Sequence, residues 1–97
     1  SELDRRFFKD RFESATDAEQ RYLAVMAELP DAPYRTADIA GAGYRSRGSA
    51  SEPRDGLLRK DLIWSPRRGL VDFTVPHFAQ YIRRNHPLSD LDQWVRR

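Results

Sequence analysis

The run Ile63-Trp64-Ser65-Pro66-Arg67-Arg68-Gly69-Leu70-Val71-Asp72-Phe73-Thr74 decides how this chain folds. Ile63-Trp64-Ser65 reads as a strand, and Pro66-Arg67-Arg68-Gly69 supplies turn residues. Leu70 to Thr74 then alternates apolar and polar, as a half-buried return strand does. The expectation is a two-stranded hairpin with a basic tip.

Upstream of the hairpin, Ser49 or Ser51 is placed to cap a helix. Pro53 falls near its first turn, and Leu57, Leu58 and Leu62 lie on its inner side. Gly56 weakens such a helix by about 1 kcal/mol relative to Ala. Residues 41–49 read as a flexible, basic connector. Before them, Thr36 can cap a short helix through Ala40 that Gly41 or Gly43 ends. Pro33-Tyr34-Arg35 is a brief extended piece, because Pro33 biases its neighbours away from helix.

The strongest helix signal lies further upstream. Thr16 and Glu19 have capping-box spacing, and Ala18, Tyr22, Val25, Met26 and Leu29 recur with helical period until Pro30 stops them. Residues 2–15 form a polar stretch with Leu3, Phe8, Phe12 and Ala15 about one face apart, a short amphipathic helix whose aromatics pack on the body. Downstream, Pro76 opens a helix with Phe78, Tyr81 and Ile82 inward, and Pro87 breaks it. Ser89, Leu91, Trp94 and Val95 suggest one last amphipathic turn or two. The division is a linker helix over 1–15, a domain over 16–85 and a tail over 86–97.

Helix, short strand, two helices and a hairpin is the order of a winged helix-turn-helix. The expected fold class is therefore mainly α with a small β-hairpin. The 97 residues allow one domain, and 39% hydrophobic residues suffice for a core. The absence of cysteine excludes a disulfide framework and thiol chemistry, and fits a reducing cytoplasm. No apolar run reaches membrane-span length, and the acidic, Phe-containing N-terminal stretch does not read as a signal peptide. A cytoplasmic protein without a membrane partner is expected.

The net charge of +2 is unevenly spread. Residues 1–33 carry five basic and eight acidic groups, residues 34–69 eight and four, and residues 70–97 four and three. Positive charge is thus concentrated in the middle, where phosphates would dock. Arginine outnumbers lysine 15 to 2, which a GC-rich genome would also produce, so charge alone does not argue for nucleic acid.

Lys60-Asp61-Leu62-Ile63-Trp64-Ser65-Pro66-Arg67-Arg68-Gly69-Leu70-Val71-Asp72-Phe73-Thr74-Val75-Pro76-His77-Phe78 is similar to a stretch of the C-terminal winged-helix domain of bacterial AAA+ family ATP-binding proteins. That family typically reads GLI(Y)SPRxGxxxFTVPxF there. Thr16 to Met26, followed by Pro33-Tyr34-Arg35, also resembles its T-x-A-E…Y-L-x-A-M-A…G-P-Y-R. The resemblance covers about residues 5–85, and it implies an ATPase domain upstream in the parent protein. The chain departs from the pattern at Ala42-Gly43-Tyr44, and at Asp61, where the family usually has Gly.

Chemistry of catalysis is poorly represented. No G-x-x-x-x-G-K-[ST] run is present, so this segment does not itself hydrolyse ATP. Gly41-Ala42-Gly43 lacks the third glycine of a dinucleotide loop. His77 and His86 have no ligand spacing. Asp90 and Asp92 read as a solvated, exposed face rather than an acid/base pair, and Ser65 and Ser89 lack a base. No catalytic residue, metal or cofactor is expected.

Two readings of function remain. In the first, the domain binds double-stranded DNA with weak or modest specificity, through Arg45, Arg47, Ser51, Arg54, Arg59 and Lys60 on and around the third helix and Arg67 and Arg68 at the wing. In that reading Ala50, Pro53, Leu57 and Leu58 of the third helix face inward, and Ser51, Glu52, Asp55, Gly56 and Arg59 outward. Two acids on that face would repel a phosphate backbone, although a carboxylate can accept from a cytosine amino group. In the second reading the same fold is a protein-interaction module, docking on its own ATPase domain or a partner, favoured by the acidic third helix, the acidic N-terminal third and the tail with Leu88, Leu91 and Trp94. Residues 86–97 could also pair with a second copy to form a homodimer. DNA binding is the expectation, by analogy with the common use of the fold.

Overall fold

The computed structural model describes residues 2–95. Its elements run α1 (Glu2–Glu13), α2 (Asp17–Glu28), β1 (Tyr34–Arg35), α3 (Thr36–Gly43), α4 (Arg47–Arg59), β2 (Ile63–Trp64), β3 (Leu70–Phe73), α5 (Phe78–Asn85) and α6 (Leu88–Val95). The fold is mainly helical with one small three-stranded antiparallel sheet, of order β1-β3-β2.

Helix α2 is the central post. Its capping box forms as the sequence indicates: Glu19 N–H donates to Thr16 Oγ1 at 3.2 Å, and Thr16 N–H donates to Glu19 Oε1 at 2.9 Å. Tyr22 through Ala27 are all buried. A single amphipathic stripe would not produce that; α2 is covered on several sides because α3, α4, α5 and α6 all pack on it. Ala18, expected inward, is exposed, and Glu19 is buried instead. Lys60 reaches across from the end of α4 and draws the carboxylate in.

The aromatics of α1 divide. Phe12 is buried, and Phe8 stacks on Phe78 and Tyr81 at centroid distances of 5.8 and 5.2 Å. Leu3 and Phe7 stay exposed, and the Arg11 guanidinium lies 4.4 Å over the Phe7 ring.

Three local expectations change in the middle of the chain. Thr36 begins α3 but does not cap it. Its N–H and its hydroxyl both donate to the Gly69 carbonyl, at 2.9 and 3.4 Å, so the hairpin uses the side chain that a cap would have needed. Helix α4 starts at Arg47 because Ser46 caps it with Ser49 in a reciprocal box. Pro53 therefore lies inside the helix, buried, where it forgoes one helical hydrogen bond. The connector shrinks from residues 41–49 to Tyr44-Arg45-Ser46.

The end of α4 explains the departure at Asp61. Leu62 N–H bonds Leu57 O at 3.0 Å, Asp61 N–H bonds Leu58 O at 3.1 Å, and Asp61 has φ of 61°. This is a Schellman termination, which places its first residue beyond the helix in the left-handed region. Glycine adopts that conformation without penalty, and Asp is among the few other residues that tolerate it. Leu57 and Leu62 are both buried, supplying the apolar contact that accompanies the motif.

The hairpin forms with Ile63 opposite Phe73 and Trp64 opposite Asp72. Its strands are shorter than expected: Ser65 and Thr74 lie outside them, and Thr74 Oγ1 donates to Asp61 O at 2.7 Å. The extended piece at Tyr34-Arg35 is a strand in its own right, paired to β3 with Tyr34 opposite Val71 and Arg35 opposite Leu70. Helix α5 starts at Phe78 after His77, whose φ is 68°. Helix α6 is two turns packed on α2, and Arg21 Nε donates to Asp92 Oδ1 at 2.8 Å. Asp92 is thus an ion-pair partner in a helical contact, not part of an open acidic face. Arg96 and Arg97, and the Trp94 side chain expected in the tail's apolar face, lie outside the described residues.

Candidate nucleic-acid interface

Strand alternation sorts the sheet into two faces. Tyr34, Ile63 and Val71 point into the core, so their neighbours Arg35, Trp64, Leu70 and Asp72 share the outer face through the pairs Arg35–Leu70 and Trp64–Asp72. The tip beyond them is tightly made. Leu70 N–H donates to Arg67 O at 3.0 Å, Ser65 Oγ donates to the same oxygen at 2.7 Å, and Gly69 takes φ of 82°. Because these bonds use backbone atoms and a serine, the side chains of Arg67 and Arg68 remain exposed and enter no ion pair among the described residues.

The basic residues singled out from the sequence differ in exposure and in the partners they have. Arg45 and Arg47 are exposed at the α3–α4 corner, and Arg59 is exposed near the end of α4. Arg54 is half-buried, with Nε 3.7 Å from Asp55 Oδ1. Ser51 is half-buried as well, and its hydroxyl donates to Arg47 O at 3.1 Å. Gly56, expected outward, is buried: a Cβ at this position would overlap the Glu19 carboxylate. The exposed side of α4 does carry both Glu52 and Asp55.

Lys60 belongs to the scaffold. Its Nζ donates to Glu19 Oε1 at 2.5 Å and to Ser14 O at 3.1 Å. Glu19 is only 6% exposed. Burial works against its ionisation, but the Lys60 hydrogen bond and charge and the Thr16 bonds outweigh it, holding the carboxyl below its ordinary pKa.

Arg35 is a candidate for the site that the sequence reading missed. Its register opposite Leu70 puts it on the outer face at the base of the hairpin, beside the carbonyl of Gly69 that Thr36 holds. The extended character of Tyr34-Arg35 was legible, but its pairing with a strand far along the chain was not. Trp64 was also passed over; it is 48% exposed on the strand that leads into the tip.

Other perturbed groups are structural. Burial pushes the Tyr22 phenol up to about 12, and it raises Tyr34, Tyr44 and Tyr81. His86 stacks on Phe12 at 3.9 Å, and burial lowers its pKa. Among the described residues, no group of three His, Cys, Asp or Glu could hold a metal ion, and no helix is long and apolar enough to cross a membrane.

A family model described as a domain of unknown function, DUF8462, matches residues 5–82. The chain belongs to the DUF8462 family. The match takes in the whole sheet, the hairpin and the helices from α1 into α5, so Arg35, Arg45, Arg47, Arg54, Arg59, Lys60, Arg67 and Arg68 all lie inside the DUF8462 domain. No curated protein and no solved structure matches the chain.

Proposed function

We propose that this DUF8462 domain is a non-catalytic winged helix-turn-helix module that binds double-stranded DNA, chiefly through its wing. The observation that carries the reading is the pair of exposed, unpaired arginines at the tip of a hairpin braced against α3. The element order α2-β1-α3-α4-β2-β3 and the strand order β1-β3-β2 support the winged-helix assignment. Arg67, Arg68 and Arg35 supply cations at the wing, and Arg45, Arg47 and Arg59 flank α4. Arginine at such positions contacts phosphate or enters the minor groove. The resemblance around Ser65-Pro66-Arg67-Arg68-Gly69 further supports a place at the end of an AAA+ ATPase.

Fluorescence anisotropy of labelled duplex DNA, at about 50 and 200 mM salt, tests the reading. Affinity should fall steeply between the two salts, and Arg67→Ala/Arg68→Ala should lower the salt slope by about 2. A folded domain that binds no duplex at the lower salt overturns the proposal.

The exposed Glu52 and Asp55 on α4 favour a second reading, in which that helix faces a protein, such as the parent's ATPase domain. Glu52→Gln/Asp55→Asn separates the two. Tighter duplex binding by this variant would place α4 beside phosphates. Unchanged binding leaves α4 to a protein partner and the wing to DNA.

A further inference from the structure

Three large apolar residues are exposed among the described residues: Leu3, Phe7 and Trp64. The first two lie on α1, where Arg11 covers the Phe7 ring. Trp64 is different. It stands on the outer face of the wing sheet, 48% exposed, on the strand that runs directly into Arg67 and Arg68. It also contributes to the wall of a groove of about 540 Å³ that extends to Leu29, Pro30, Val75, Pro76 and Arg83.

The charges around this ring are arranged in an order that suits one ligand. At the tip are Arg67 and Arg68, and on the same outer face is Arg35, three cations with which a phosphate backbone can pair. Directly across the strand from Trp64 is the Asp72 carboxylate, one oxygen of which accepts from Phe73 N–H at 2.8 Å. A phosphate at Trp64 would be repelled by Asp72. A nucleobase would not: its face can stack on the indole, and its N–H donors can reach the carboxylate. Phosphates at the tip and a base at Trp64 that also reaches Asp72 require a strand whose base is not paired, because a paired base has its pairing-edge N–H donors engaged and, inside a duplex, both faces stacked.

We propose that Trp64 is a stacking platform for an unpaired DNA base, and that the domain therefore prefers duplex carrying a single-stranded tail to blunt duplex. This deepens the DNA-binding reading above and rests on it.

The test compares a blunt duplex with the same duplex bearing a short single-stranded deoxycytidine tail, by anisotropy at about 50 mM salt. The wild-type domain should bind the tailed duplex about 5- to 100-fold more tightly. Trp64→Ala should erase that preference, and Trp64→Phe should keep part of it. The chain has two tryptophans, so a Trp94→Phe background leaves Trp64 as the reporter, and its emission should be quenched by the tailed duplex and much less by the blunt one. Equal affinity of the wild type for both duplexes, a tail preference that survives in folded Trp64→Ala, or unquenched emission on binding each overturns the stacking site while leaving duplex binding in place. Binding to neither duplex overturns the DNA reading, and the stacking site with it.

Discussion

Lys60 and the pair Arg67–Arg68 are separated by one turn and one strand, and in the sequence they form a single basic stretch. The structure uses them in opposite ways. Lys60 turns back to a buried carboxylate on α2 and a carbonyl of the α1–α2 corner. Arg67 and Arg68 sit on a turn whose hydrogen bonds use the Arg67 carbonyl and not the two side chains, so their charge is left to solvent. A cation with a buried partner is part of the scaffold, and one without is available to a ligand. Counting charges along the chain does not distinguish the two.

The sharpest way to break this contrast is at Gly56. An exposed helical glycine replaced by Ala gains about 1 kcal/mol. Here the new methyl group would overlap the Glu19 carboxylate, which Thr16 N–H and Lys60 hold in place, so Gly56→Ala should instead lose about 1–3 kcal/mol in urea denaturation. A stabilised variant would mean that α4 is not seated on Glu19.

Glu19 itself comes next. Its folded pKa lies below the ordinary 4.5, so the fold favours the charged form. That contribution is present above the unfolded value and is lost as pH falls through the folded one. Glu19→Gln should cost about 1 kcal/mol at neutral pH and flatten the acid limb of the stability curve. An acid limb unchanged by the substitution would show that the Lys60 pair contributes nothing, erasing the difference between the two basic groups.

A smaller effect is expected at Asp61, the hinge between them. Asp61→Gly relieves the left-handed backbone at φ of 61° and should gain about 0.5–1 kcal/mol, read as a higher denaturation midpoint. The smallest effect belongs to the hairpin tip. Arg67→Ala/Arg68→Ala should leave stability within about 0.5 kcal/mol of the unsubstituted protein, since neither side chain has an ion-pair partner among the described residues. A larger loss would place these arginines in the scaffold beside Lys60.

Much of the fold was legible because its signals are local. The Thr16–Glu19 capping box, the helical period of Tyr22, Val25 and Met26, and the alternation of Leu70 to Phe73 each rest on neighbours within a turn or a hairpin. The errors came where a distant group competed for a local one. Thr36 gave its hydroxyl to Gly69. The start of α4 is a different case: the Ser46–Ser49 box is local, but Pro53 inside the helix made a later start look required. The candidate site was legible at the hairpin tip and not at its base, since Arg35 joins it only through pairing with Leu70.

By itself, then, the sequence determined the helices, the hairpin and the basic tip, because capping, periodicity and turn chemistry act over a few residues. Tertiary structure alone decided that Glu19 is buried, that Lys60 is bound to it, that Gly56 faces inward, and that Arg35 and Trp64 share the outer face of the sheet. Those outcomes depend on which surfaces meet after the chain has closed, and no spacing along the chain encodes a partner tens of residues away.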